Sequence, residues 1–123
     1  MQHTVTFTAD DVELTPETGF IGFADSINNR YFWLQPGESE MGLSLNKSEI
    51  WLERDDQGFG GSSGNWRIAL SRQTFTVFTG DAGWLACDKI VIHFRLEDKE
   101  YFALRSLLET VMHECAEDLR LEH

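Results

Sequence analysis

The chain of 123 residues is poor in cysteine, proline and basic side chains, and it contains no long hydrophobic run. Each scarcity excludes something. The two cysteines, Cys87 and Cys115, do not form a Cys-x-x-Cys unit, and a secreted domain of this size ordinarily carries more cross-links. A reducing cytoplasm is therefore the expected location. The apolar stretches are far shorter than the roughly 20 consecutive residues that a bilayer span needs, so no membrane partner is expected. The first 15 residues lack a basic segment followed by an apolar one, so no secretory leader is expected. Lys and Arg total 10 against 21 Asp and Glu, for a formal net charge of -11. Such a surface repels phosphate backbones, which disfavours nucleic acid and favours a cationic partner. With 41% hydrophobic and 12% aromatic residues and only two prolines, general disorder is excluded. The length suits one domain with one modest core, placed at residues 1–120. Leu121-Glu122-His123 reads as the start of an expression tag and is set aside from the functional reading.

Hydrophobic periodicity supplies the elements. Thr4–Thr8 alternates polar and apolar residues, the period of a strand. The same reading predicts strands over Phe20–Ala24, Arg30–Gln35, Met41–Leu45, Glu49–Arg54, Trp66–Leu70 and Lys89–Leu96. Phe75 and Val77 lie on the return strand of a hairpin that turns at 71–73. Gly58, Gly60, Gly61 and Gly64 crowd one segment, which predicts a loop, because glycine loses the most backbone freedom on ordering. After Leu96 the period changes. Tyr101, Leu104, Leu108, Val111, Met112, Cys115 and Leu119 recur at three and four, which predicts one helix over 98–120. Asp98 is its expected N-cap, with Glu100 in the first turn where the dipole favours an anion. Strands followed by a segregated helix give an α+β fold: an antiparallel sheet of about six to eight strands with one long C-terminal helix packed on it.

Motifs of catalysis and metal binding are missing. The glycine-rich segment has no lysine, is followed by a strand and is preceded by Asp55-Asp56, so it is not a phosphate loop. Adjacent acids without a closing glutamate do not match a calcium loop. There is no HExxH, no spaced Cys/His set and no GxSxG elbow. His93 alternates out of the face formed by Ile90, Ile92 and Phe94, and His113 reads as structural or surface. Cys115 falls on the apolar stripe and reads as a core thiol. Trp33, Trp51, Trp66 and Trp84 read mostly as core, with Trp66 on an inward face; one exposed tryptophan would be a binding anchor. No catalytic residue, cofactor or metal is assigned, and the chain reads as non-enzymatic.

The run Ile50-Trp51-Leu52-Glu53-Arg54-Asp55-Asp56-Gln57-Gly58-Phe59-Gly60-Gly61, followed by Ile68-Ala69-Leu70-Ser71-Arg72, resembles immunity protein family ten of bacterial polymorphic toxin systems. Lys89–Phe94 and Phe102–Leu108 fit the strand and helix that follow in that family, and the likeness covers residues 49–112. The segment 62–66 departs from the family's pattern, and 112–120 extends the helix. The resemblance implies a bacterial immunity protein that binds and neutralises a cognate toxin domain, commonly a nuclease. A nuclease holds phosphates and is therefore basic, so an acidic inhibitor can be steered onto it and occlude it. On that reading Glu53, Asp55, Asp56, Gln57, Gly58 and Phe59 form the toxin-binding loop, its acids bonding to Lys or Arg. The rival readings are a small adaptor, a self-associating sheet protein with a homodimer as its simplest form, and an uncharacterised hydrolase.

Overall fold

In the computed structural model, residues 3–37, 49–62 and 64–122 are described, Gln57 by its backbone alone. Among these residues ten strands and one α-helix follow in the order β1 (Thr4–Thr8), β2 (Asp11–Thr15), β3 (Phe20–Asp25), β4 (Arg30–Pro36), β5 (Ile50–Arg54), β6 (Gly60–Gly61), β7 (Arg67–Leu70), β8 (Thr74–Phe78), β9 (Lys89–His93), α1 (Asp98–Val111) and β10 (Leu119–Leu121). They form two five-stranded sheets, ordered β1-β9-β8-β7-β10 and β2-β3-β4-β5-β6. The first is mixed, with β1 parallel to β9 and β10 parallel to β7. The second is antiparallel throughout. The chain crosses between them within two residues. Ala9 N–H donates to the His93 carbonyl at 2.8 Å, and Asp10 N–H donates to the Ala24 carbonyl at 2.9 Å.

Strand alternation decides what lies between the sheets. Ile68, Leu70, Phe75, Val77, Ile90 and Ile92 are buried from the first sheet, and Ile21, Phe23, Phe32, Leu34, Ile50 and Leu52 from the second. Rings meet across the gap: Phe75 stands 4.7 Å from Phe23 and 5.6 Å from Phe32, centroid to centroid. Each such side chain stabilises the fold by roughly 1.5–3 kcal/mol when fully buried.

The helix adds Tyr101, Leu104, Leu107, Leu108 and Val111 to this core. Its first turn is held by Arg72 of the β7–β8 turn. That guanidinium donates to the Leu96 carbonyl at 2.7 Å and to Asp98 at 2.8 Å, and it covers the Tyr101 ring at 4.8 Å. Its last turn meets the β2–β3 turn, where Gly19 takes φ +77° and a Cβ would lie 3.1 Å from Val111. The N-cap is Glu97 and not Asp98, whose carboxylate is engaged by Arg72. Glu97 and Glu100 form a reciprocal capping box.

Several expectations are corrected. The α+β class holds, but there is no single antiparallel sheet of six to eight strands, and the helix is not the last element. The helix stops at Val111, and a 3-10 segment, His113–Asp118, leads into β10. Cys115, at φ -130° and ψ 41°, breaks the helical path although its side chain stays buried, so the apolar spacing continues while the backbone does not. Leu119 and Leu121 pair with Ile68 and Leu70, and Glu122 N–H donates to the Leu70 carbonyl at 2.8 Å. The first sheet thus uses residues that the sequence reading set aside. The strand begun at Lys89 ends at His93 rather than Leu96. Gly60–Gly61, expected in a loop, is strand β6. The Met41–Leu45 strand lies outside the described residues.

Leu104 and Leu108 are fully buried on the docked helix. Truncating either to alanine is expected to cost about 2–5 kcal/mol in chemical denaturation. A negligible loss at both positions would contradict the docking of α1.

Candidate interaction face

The outward side of the second sheet is built by register. Gly22, Trp33, Glu53 and Gly60 face one another across β3, β4, β5 and β6, and Glu13 of β2 pairs with Gly22 at the end of that row. Their neighbours in alternation place Phe20, Tyr31 and Trp51 on the same side. Phe20 meets Trp33 edge-on at 5.9 Å, and Tyr31 lies 4.6 Å from Trp33 with the rings tilted by 34°. Two glycines make room for these rings. A Cβ on Gly22 would sit 2.8 Å from the Phe20 ring, and one on Gly60 would sit 2.6 Å from the Trp51 ring. Any side chain at either position would push a ring off the sheet. Trp33 and Trp51 remain 38% and 40% exposed, a large apolar surface to leave in water.

Glu53 lies at the floor of this cluster and is only 4% exposed. One carboxylate oxygen accepts from the Tyr31 hydroxyl, and the other accepts from Trp51 Nε1 at 3.0 Å. Both donors are neutral, and no described Lys or Arg forms an ion pair with Glu53. Burial, and then the bond and charge of Glu53, push the Tyr31 phenol well above its usual range, so it stays a donor at neutral pH. The residues that carry a formal charge at described outward positions of this sheet are Asp11, Glu13 and Glu53, all acidic. Strand positions on the outer side of the first sheet include Arg67, Lys89 and Arg120, and Glu117, Asp118 and Glu122 lie beside them.

The acidic loop expected to bind the toxin adjoins this face, but much of its charge is used internally. Asp55, at φ +60°, binds Arg30 at 2.7 Å and Arg54 at 3.0 Å, and it accepts from the Tyr31 N–H at 3.0 Å. Arg54 is buried and also donates to the Leu85 carbonyl at 2.7 Å, with its guanidinium 4.5 Å from the Phe59 ring centre. Asp56 caps the 3-10 turn Gln57–Phe59 by accepting from Gly58 N–H at 2.8 Å. Asp56, Gly58 and Phe59 are exposed, while Glu53 and Asp55 are not free to reach a partner. The Trp84 ring packs on Gly61, 2.7 Å from where a Cβ would stand. The segment is thus ordered by a cap and by rings rather than left loose by its glycines.

The sequence reading missed Phe20, Tyr31, Trp33 and Trp51 as a group. A signal was present. Tyr31 and Trp33 alternate with Phe32 and Leu34, and Trp51 stands between Ile50 and Leu52, so both sides of these strands are apolar while only one can face the core. The other readings fare as follows. Trp66 is buried and His93 points outward. The His113 side chain is exposed near Glu114, and Cys115 is buried. Burial pushes the half-buried Cys87 thiol up, against the pull of Arg54. Among the described residues no three His, Cys, Asp or Glu side chains gather to hold a metal, and no helix is long and apolar enough to cross a membrane. Comparison with protein-family models, with curated proteins and with solved structures finds no match in any of the three. The functional reading therefore stands on the geometry of the face.

Burial raises the Asp55 pKa, but Arg30, the Tyr31 N–H and Arg54 outweigh it and hold the carboxyl below the ordinary 3.8. A depressed carboxyl stabilises the fold fully above its ordinary value, and that contribution is lost as pH falls through the lower folded value. Asp55→Asn is expected to cost about 1–2 kcal/mol at neutral pH, the low end for charged hydrogen bonds because the site keeps some solvent contact. Its melting temperature should also fall less steeply on acidification than that of the parent. Equal slopes would show that the knot around Asp55 does not contribute.

Proposed function

We propose that this chain is a non-enzymatic immunity protein that neutralises a basic toxin domain, a nuclease in the simplest case, by covering its working surface. The observation that supports this reading is the outer face of β2–β6, which joins exposed aromatic rings to acidic groups and carries no base among its described positions. Aromatic side chains held rigidly on a sheet are effective anchors, because they bury much area at little entropic cost. The net charge of -11 sets the encounter rate with a basic partner.

Size decides how much of the surface takes part. Four strands about 4.8 Å apart and about 17 Å long, with the two-residue β6 at the edge, offer a projected area of roughly 350 Å². A stable interface takes about 800 Å² from each partner. The face therefore forms the centre of the contact, and the adjoining loop with Asp56 and Phe59 extends it. This keeps part of the acidic segment in the interface while Glu53 and Asp55 support the rings from behind.

A second reading draws on Arg67 and Lys89 of the other sheet. These bases on one copy could meet the acids of the β2–β6 face on another, giving head-to-tail association, although the large net charge opposes it. Sedimentation at rising protein concentration separates the two, since the neutraliser is monomeric without its toxin.

The deciding experiment is to co-express the chain with the basic toxin domain that this reading expects a neighbouring gene to encode. Protection of growth is expected, and Trp33→Ala with Trp51→Ala should remove protection while the circular dichroism spectrum and melting behaviour stay those of a folded protein. Lack of protection by the parent chain, or full protection by the folded double variant, would overturn the proposal.

A further inference from the structure

We infer that the aromatic face holds an arginine side chain of its partner, laid on Trp33 and Trp51 above the Glu53 carboxylate. This rests on the neutraliser reading and names the group that the face recognises. Trp33 pairs with Glu53 across adjacent strands, and Trp51 stands two residues from Glu53 on β5. The two indoles are thus diagonal neighbours, with backbone positions roughly 7–8 Å apart. Both are substantially exposed. The Trp51 ring lies over Gly60, and the residue stays 40% exposed. A guanidinium is flat, weakly hydrated and attracted to the negative face of an indole, most strongly where water is excluded.

The carboxylate beneath fixes the sign of the ligand. Glu53 is buried, carries no described cationic partner and has both oxygens occupied by Tyr31 and Trp51. It acts on a cation above the rings through its field and needs no direct bond. A neutral aromatic surface would accept any apolar side chain. This one carries a fixed negative charge below its centre and Glu13 at the end of the same row. Glu13 is exposed, and its carboxylate can bind the guanidinium head once the stem lies on Trp33. The Tyr31 hydroxyl stays protonated and keeps donating to Glu53, so the ring beside the carboxylate stays neutral. Arginine suits the site better than lysine because its planar head can lie flat on a ring and still bond in its own plane.

The test uses the full chain and three small probes: acetyl-arginine amide, acetyl-lysine amide and acetyl-norleucine amide. The readout is the indole N–H signals in a nitrogen-proton correlation spectrum, with buried Trp66 as internal control. Arginine amide should give saturable shifts at Trp33 and Trp51 and none at Trp66, lysine amide weaker ones, and norleucine amide none at equal concentration. Trp33→Leu should weaken arginine binding about two- to five-fold, as loss of one exposed cation–π contact does. Glu53→Gln, whose amide oxygen can still accept from Trp51 Nε1 while its NH2 donates to a reversed Tyr31 hydroxyl, should also weaken it. Equal responses to norleucine and arginine, or undiminished binding by the folded Glu53→Gln variant, would overturn the inference. The two proposals fail separately. Protection lost in the tryptophan double variant with no arginine response sinks the arginine site alone. An arginine response in a chain that gives no protection sinks the neutraliser reading alone.

Discussion

The register of β4 against β5 is the constraint on which the rest depends. It is pinned at one end by Asp55, whose N–H donates to the Tyr31 carbonyl while its carboxylate accepts from the Tyr31 N–H and from Arg30 and Arg54. A slip of β5 by one residue against β4 would send Trp51 inward and turn Ile50 and Leu52 out to water. The cost would be two buried side chains at once. Arg54 extends the same tie to the segment before β9 through the carbonyl of Leu85, so one cluster fixes both the face and the closure of the sandwich at that end.

This arrangement changes the meaning of the acidic segment. Its charges look like a rim awaiting a partner when only their order along the chain is known. In three dimensions they divide by depth. Glu53 and Asp55 work inside the protein, one beneath the rings and one in the ionic knot, while Asp56 caps a short turn and stays in contact with solvent. The aromatic face and the loop are therefore one structure. The residues that keep the rings in place are the same residues that look like ligands for a basic protein.

Much of the fold was legible because strand period and core alternation coincide. Val5 and Phe7, Phe75 and Val77, and Ile90 and Ile92 are buried in the order that their spacing requires. Three strands escaped for separate reasons. β2 carries Asp11 and Glu13 on its outer side, so its hydrophobic signal is thin. β6 is two glycines, which are strand-compatible here only because tryptophans cover them. β10 continues a helical spacing that the backbone abandons at Cys115. The candidate site was half legible: the loop was singled out by composition, but the rings beside it come from β3, β4 and β5, and only register brings them together. Sequence spacing within one strand carries no information on which neighbour it will face.

The two sheets also differ in when they can close during synthesis. Strands β2 to β6 are neighbours both along the chain and across the sheet, so the aromatic side can assemble while the later half is still being made. Strand β1 must wait for β9, and His3 finds its bond to Asp88 across 85 residues. Until β9 leaves the ribosome, β1 is an unpaired edge rich in threonine, and the inner side of the meander has nothing to cover it. Emergence of the last third of the polypeptide is thus the step that ends the nascent protein's exposure to aggregation.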